Sequence, residues 1–372
     1  MDLRAEGMNF IPCTMMRGGT SKGVYFLKSD LPEDQELLDQ TLLHIMGSPD
    51  GRQIDGIGGA NPLTSKIAII NKSELPNADV DYLFGQVVVD QPVVGYSQNC
   101  GNILSGVGQF AIEKGLVAAN DPLTDVAIHM VNSGDIAIAT ISTPGGKVSY
   151  EGDIEIDGVP GKAAPVSLNF LNTAGSLCGS LLPTGNRVDE IDGVDVTCID
   201  NGMPVVIMRA SDFDIDGTES VAQLEANQSL KTRVESIRLQ AGHMMNLGDV
   251  VTQTVPKMTL VSEPRNGGII STRSFIPHRC HSTIGVFAAV SVATACLISN
   301  SPAADMSGNI KNANNRYLIE HPSGGMEVEI DIENNDGEFV VKRSGFLRTA
   351  RKLFEGEVFL KEEDLCNAKR CD

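Results

Sequence analysis

The chain has no tryptophan and only 5% aromatic residues, so it offers few flat faces on which a nucleobase or sugar ring could stack. It also lacks a cationic surplus. Against 48 acidic residues stand 29 Lys and Arg, and the resulting net charge of −19 opposes nucleic acid and anionic membrane, both of which require a basic face. The opening residues, MDLRAEGMNFIPC, hold no apolar stretch of the kind a secretory signal needs. The most hydrophobic run, IGVFAAVSVATACLI at 284–298, falls short of the roughly 20 residues that span a bilayer, and reads instead as a buried core helix. Eight cysteines are scattered without a C-x-x-C pair, which fits reduced thiols and a cytoplasmic location.

Several chemical signatures are missing as well. GGTSKG (18–23) lacks the G-x-x-x-x-G-K-[ST] spacing of a phosphate loop, and DGIGGAN (55–61) fails the G-x-G-x-x-G dinucleotide pattern. No G-x-S-x-G nucleophile elbow is present. HRCH (278–281) could offer His278, Cys280 and His281 to a metal, but no second cluster completes a ligand set. The expectation is therefore an activity with no metal and no organic cofactor.

What the sequence does contain is a repeat. CTMMRGGTSKGVYFLKSDL (13–31) reads as strand, glycine turn, strand and acidic loop, and CIDNGMPVVIMRASDF (198–213) repeats that order. A polar helical stretch follows each, at 33–46 and 218–241. NPLTSKIAII (61–70) then matches QTVPKMTLV (253–261), placing Lys66 and Lys257 just ahead of apolar strands. A turn enters a helix twice, at NCGNILSGVGQFAI and CHSTIGVFAAVSVA, and a Ser-Gly turn feeds an alternating strand at 131–141 and 321–332. Corresponding features lie about 180–190 positions apart, in the same order, which is the mark of an internal duplication.

Short alternating strands bounded by Gly, Asn, Asp and Pro suit antiparallel sheets. The second helix is apolar nearly all round and so is expected to be buried on every face. The predicted fold is α+β, two pseudo-symmetric halves, each an antiparallel sheet wrapped around one central helix. The halves are placed at 1–184 and 185–345, with the segment 346–372 a candidate to return to the first. A cleft between them, faced by both helix starts, would be the natural place for a small ligand.

Helix starts present free N–H groups and partial positive charge, and so favour carboxylates. Gly101-Asn102 and Ser282-Thr283 are read as opening the two helices, which suggests a substrate with at least two carboxylates; the same Ser, Thr and Asn residues could equally be plain helix caps. Arg17, Ser21 and Lys22 of the MRGGTSKG turn, Lys66, and Arg273 or Arg279 are candidates to complete the anion site. Cys100, at a helix start, could act as a thiolate base or an acid, or simply be a small apolar residue. The apolar reading is applied to Cys13, Cys178, Cys198 and Cys296. Lys66, in an otherwise apolar run, is either a desolvated general base or a lysine at a strand edge.

Four segments resemble the PrpF-like isomerase family: IPCTMMRGGTSKGVYF (11–26), GGANPLTSKIAII (58–70), QNCGNILSGVGQFAIEKG (98–115) and IPHRCHSTIGVFAAVSVATACL (276–297). The similarity runs from about Asn9 to about Phe359 with the motifs in order. It implies a diaminopimelate-epimerase-like fold and cofactor-free proton transfer on an unsaturated tricarboxylate. The 4-oxalomesaconate branch, in aromatic-acid catabolism, fits the PHRCHSTIGV segment better than the 2-methylaconitate branch. The resemblance also implies that Lys66 of N-P-x-x-S-K and Cys100 of N-C-G-N lie in the site; they are the expected catalytic residues, and the reading of the helix starts and nearby side chains makes Arg17, Ser21, Gly101, Asn102, Arg279, His281, Ser282 and Thr283 the expected substrate-binding ones. Diaminopimelate epimerases carry a cysteine on each helix, whereas this chain has His281 and Ser282 where the second is expected, with Cys280 one step earlier. A symmetric two-thiol racemase is thereby in doubt, and an amino-acid epimerase or a non-catalytic carboxylate binder is the alternative. Expected partners are the small tricarboxylate and, at most, a second copy of the chain in a homodimer; no nucleic acid or membrane is expected.

Overall fold

The computed structural model describes residues 8–96, 99–276, 278–308, 315–335 and 337–361. Its backbone contacts divide the chain into two units, Met1–Leu168 with Arg348–Asp372, and Asn169–Leu347.

In the first unit, β1 (Met8–Gly18) and β2 (Ser21–Leu27) form an antiparallel hairpin around Gly19-Thr20. The helix α1 (Gln35–Met46) then carries the chain back to the starting end of β2. Asp34 caps α1 by accepting the Leu37 N–H at 2.9 Å, and Gly47, at φ 78°, ends it. Its face of Leu38, Leu42, Ile45 and Met46 packs into a core with Ile11, Val24, Phe26, Ile67 and Ile69. Because of this crossover, β3 (Lys66–Lys72) runs parallel to β2. β4 (Val80–Val87) and β5 (Val94–Gly95) follow antiparallel. After α2 (Gly101–Leu104) and α3 (Val107–Glu113), β6 (Leu123–Met130) pairs parallel with β4, and β7 (Asp135–Ser142) closes on β6. β8 (Pro165–Phe170) leads out of the unit.

The second unit repeats these pairings one for one. After the short β9 (Asp189–Ile191), β10 (Val194–Asp200) and β11 (Pro204–Arg209) form the hairpin. α4 (Val221–Ala226) and α5 (Gln228–Met244) make the crossover. β12 (Lys257–Ser262) pairs parallel with β11, and β13 (Ile270–Ile276) and β14 (Arg279–Cys280) follow antiparallel. The helix α6 (Val286–Cys296) and the short α7 (Pro302–Met306) come next. β15 (Arg316–His321) pairs parallel with β13, and β16 (Gly324–Asn335) pairs antiparallel with β15. The long β17 (Glu338–Lys361) pairs first with β16 and, in its second half, with β1 of the first unit's sheet.

The duplication and the α+β class are thus present, but the sheets are mixed, not purely antiparallel. The parallel pairs arise wherever a helical crossover returns the chain to the same end of the sheet. The central helices also differ. α6 is buried from Ala288 through Cys296, as its all-round apolar sequence requires. Its counterpart is broken into α2 and α3 at Ser105-Gly106, where the Ser105 hydroxyl takes the Asn102 carbonyl at 2.6 Å. Glycine is needed at 106 because a Cβ would stand 2.5 Å from the Tyr25 hydroxyl. Cys13, Cys178, Cys198 and Cys296 are buried, and burial pushes their thiols up, to about 11 for Cys13 and about 12 for Cys178 and Cys198. They behave as apolar side chains. Among the described residues no helix is long and apolar enough to cross a membrane.

Candidate active site

Lys66 is the first residue of β3 and is only 7% exposed. The segment before it is held from several sides. Asn61 folds the turn by accepting the Leu63 N–H on its side chain and the Thr64 N–H on its carbonyl, each at 2.9 Å. The Ser65 hydroxyl reaches the side-chain oxygen of buried Gln53 at 2.7 Å, and the same oxygen accepts the Ala60 N–H. On the neighbouring strand β4, Gln86 lies opposite Lys66. The lysine Nζ donates to Gln86 Oε1 at 2.7 Å and stands 5.1 Å from the centre of the Phe84 ring. Among the described residues no carboxylate lies within ion-pair distance of this ammonium. A buried cation with only neutral partners is set up to meet an anion, or to trade its proton with a bound molecule.

α2 packs on β1, β2 and β3. The approach is close, since a Cβ on Gly23 would meet the Lys66 carbonyl at 2.8 Å and the Ile103 side chain at 2.9 Å. Cys100 is the N-cap of α2, half-buried, and its side chain makes no capping bond. Its carbonyl accepts the Leu104 N–H at 2.9 Å and, at 3.4 Å, the Tyr82 hydroxyl. Tyr25 donates to the Ile103 carbonyl at 2.5 Å. Burial, and next to it the neighbouring Cys100, push both phenols well above their ordinary range, so they remain donors.

Asn102 is fixed at both ends of its amide. Nδ2 donates to Thr20 Oγ1 at 3.0 Å and to Ser21 Oγ at 3.4 Å, while Oδ1 accepts from Arg348 Nε at 3.3 Å. The hairpin glycines allow this approach. A Cβ on Gly18 would stand 2.2 Å from the Asn102 carbonyl oxygen, and one on Gly19, at φ 49°, 2.2 Å from its side-chain oxygen. Desolvation lowers Arg348 to about 10. Arg17 has a different setting. Its Nη1 donates to the Gly19 carbonyl and to both oxygens of Thr349, tying the hairpin turn to β17, and burial followed by the nearby Arg351 lowers it. Ser21, Cys100, Gly101, Asn102 and Lys66 are therefore gathered in the first unit around α2, with Arg17 beside the hairpin turn.

In the second unit Lys257 occupies the place of Lys66, first on the strand that pairs parallel with the hairpin. The paired register of β12 on β13 ends at Met258 and Phe275; one step further along the two strands stand Lys257 and Ile276, whose side chain offers no acceptor, and the Lys257 Nζ donates to the Thr254 carbonyl at 2.6 Å. Burial, followed by Arg238, lowers its pKa. A cavity of about 130 Å³ lies between Lys257, Ser274, His281 and the first turn of α6, Val286–Ala288. The helix does not open at Ser282-Thr283. Its N-cap is Gly285, and the preceding turn is held by His281, whose Nδ1 accepts both the N–H and the hydroxyl of Thr283 at 2.9 Å. A backbone N–H can only donate, so Nδ1 carries the lone pair and the proton sits on Nε2. Burial, then Lys257, lowers the imidazole below its ordinary 6.5, which favours that neutral form.

Gly285 also takes the place of Cys100, because both are N-caps and both lie five residues beyond the end of the preceding short strand. The second helix thus has a glycine, not a thiol, at its N-cap, and His281 and Ser282 lie ahead of that cap. Ser282 is exposed, and its carbonyl accepts from Ser323 at 2.8 Å. Arg279 is exposed on β14, where its charge acts on Glu225, and Arg273 is buried with its guanidinium bound to the Glu219 and Thr272 carbonyls. His278 faces Glu235 at 3.6 Å. Among the described residues no three His, Cys, Asp or Glu side chains gather as a metal site. The sequence reading passed over Gln86 and Arg348, whose roles depend on strand register and on a contact across 246 positions.

The family model described as PrpF protein matches residues 8–361. The chain is 58% identical over 352 residues to a 4-oxalomesaconate tautomerase of Pseudomonas putida, covering 95% of this chain and 96% of that one. It is 56% identical over 360 residues to a (4E)-oxalomesaconate Delta-isomerase of Novosphingobium sp. (strain KA1), covering 97% and 100%. The crystal structure of a methylitaconate-delta-isomerase superposes with a TM-score of 0.89 at 36% identity, covering 97% of this chain and 98% of that one.

Proposed function

We propose, from the premise that this chain belongs to the PrpF family, that it converts 4-oxalomesaconate by moving one proton between two carbons of an allylic system. The chain is an isomerase. The observation that carries the proposed chemistry is Lys66: buried, seated by the 61–65 turn and, among the described residues, in contact only with the neutral Gln86 and the Phe84 face.

As an amine, Lys66 takes a proton from a carbon next to a carbonyl or carboxylate, and the C–H electron pair becomes the new double bond of a dienolate. The resulting ammonium returns the proton to the carbon at the far end of the system as the original double bond breaks. Atoms and electrons balance with no oxidant, and no cofactor is needed. Negative charge that develops on the substrate oxygens is met by the ammonium and by fixed N–H donors at the first turn of α2. Asn102, held at both ends of its amide, keeps that turn in place, and Cys100 at the N-cap contacts the substrate. Arg17 and Arg279 are further from substrate binding, the first bound to Thr349 and the second exposed near Glu225. Glycine at the second N-cap speaks against a two-thiol epimerase. The free thiols at the described cysteines support a reducing, cytoplasmic setting.

The test is a panel of 4-oxalomesaconate, 2-methylaconitate, methylitaconate and a set of amino acids, followed by ultraviolet absorbance and NMR. Turnover with the highest kcat/KM on 4-oxalomesaconate supports the proposal. Turnover confined to another member of the panel, or to an amino acid, contradicts it.

A further inference from the structure

We infer that Gln86 is a positioning residue for Lys66, acting as an oriented neutral acceptor that fixes where the amine points. The inference rests on the reading of Lys66 as the proton carrier.

The orientation of the Gln86 amide is dictated by its surroundings. Its Nε2 faces three backbone carbonyls, those of Pro62 and Ser65 at 3.1 Å and of Val87 at 3.3 Å. Carbonyl oxygens can only accept, so the NH2 group must lie on that side and Oε1 on the other. Oε1 is then presented to Lys66 Nζ at 2.7 Å. Two of the three carbonyls belong to the turn that delivers Lys66 into β3. One side chain on β4 therefore braces that turn and holds the amine at its end.

The internal repeat supplies a comparison within the molecule. One step beyond the last register pair of β12 and β13, Met258 with Phe275, the residue on the facing strand is Ile276. Without an acceptor there, the second lysine donates to the carbonyl of Thr254 in the preceding turn. The duplication thus preserves both lysines, but Lys66 meets a side-chain acceptor from the facing strand where Lys257 turns to a backbone carbonyl of its own preceding turn. A purely structural brace for the turn would not need an oxygen at this point, and the second unit folds with an isoleucine.

The choice of an amide over a carboxylate has a chemical consequence. A carboxylate facing Nζ would form an ion pair that favours the ammonium, whereas an amide oxygen holds the amine without a countercharge. The experiment measures kcat and KM on 4-oxalomesaconate across pH for Gln86→Met and Gln86→Glu, with melting curves on each protein and K66M alongside. In Q86M, kcat should fall on the order of tenfold with KM little changed, since the reacting group is misplaced. The pH limb that K66M abolishes should move about one unit lower in Q86M and about one unit higher in Q86E. Opposite displacements in the two variants are what a brace alone cannot produce. If K66M is inactive while Q86M and Q86E keep the wild-type limb, the inference on Gln86 is overturned and Lys66 stands. If K66M is active, the underlying reading of Lys66 fails instead. Should Q86M not fold, Q86E decides on the same limb, an unmoved limb overturning the inference; should neither variant yield folded protein, the role of Gln86 is structural and the inference is likewise overturned.

Discussion

Replacing Lys66 with methionine removes the proposed proton carrier and leaves a side chain of nearly the same length in the same buried slot. The structural cost can be bounded. Among the described residues the Nζ has one hydrogen-bond partner, Gln86 Oε1, and it lies over the Phe84 ring. Its loss leaves one acceptor unpaired, a cost of about 1–3 kcal/mol, and forfeits a cation–π contact of about 0.5–2 kcal/mol. Against this, a charge no longer has to be held away from water. The net change in stability should fall within about 2 kcal/mol, too little to unfold a chain of this size. The change in rate should be larger. A lost general acid or base typically costs about 10²–10⁴-fold, equivalent to roughly 3–5 kcal/mol at the transition state. K66M should therefore stay folded, bind an unreactive tricarboxylate in calorimetry, and turn over 4-oxalomesaconate at least about 100-fold more slowly than wild type. A folded K66M within about tenfold of wild-type kcat would refute the reasoning, because no proton carrier can be removed so cheaply.

Cys100→Ser should reduce kcat by about tenfold or less, since a hydroxyl at the N-cap still donates a hydrogen bond; a loss exceeding that of K66M would transfer the main acid/base role to the thiol. Gly18→Ala should destabilise the first unit by about 1–3 kcal/mol or more, because the new Cβ would stand 2.2 Å from the Asn102 carbonyl oxygen, which cannot swing aside. An unchanged denaturant midpoint would show that the hairpin and α2 are not so closely packed. His281 makes a pH-dependent contribution. Its pKa is lowered on folding, so the unfolded chain binds the proton more readily; the contribution is complete above 6.5 and is lost as pH falls through the folded value. The wild-type denaturant midpoint should fall over that window, and His281→Asn, which keeps an acceptor for Thr283, should flatten the decline. An identical pH profile in the variant would contradict the neutral-histidine assignment.

The order of elements was legible because each half repeats the same sequence of turn, polar helix and lysine-led strand. The all-round apolar sequence of α6 likewise announced a buried helix. The parallel pairs were not read, although the evidence was present: a polar helix over 33–46 between two strands is a crossover, and a crossover returns the chain parallel. The start of α6 was placed too early because Ser282 and Thr283 look like caps. What holds them outside the helix is the His281 ring, and a side chain folding back on its own turn leaves no periodic signature. Gln86 and Arg348 carry no local pattern at all. One becomes visible only when β3 and β4 are set in register, the other only when the chain has returned to β1 from its far end. Recognition of N-P-x-x-S-K drew attention to Lys66 but not to the residue opposite it.

The central claim is that one proton carrier serves two carbons of the substrate, and the position of deuterium in the product tests this most directly. The reaction is run on 4-oxalomesaconate in D₂O and followed by NMR. The account predicts that the double bond moves and that any deuterium taken up in a single conversion appears at the carbon remote from the one deprotonated, in an amount set by how fast the Lys66 ammonium exchanges with solvent. Label confined to one carbon whose configuration has inverted, with the double bond unmoved, would contradict it and establish epimerisation instead.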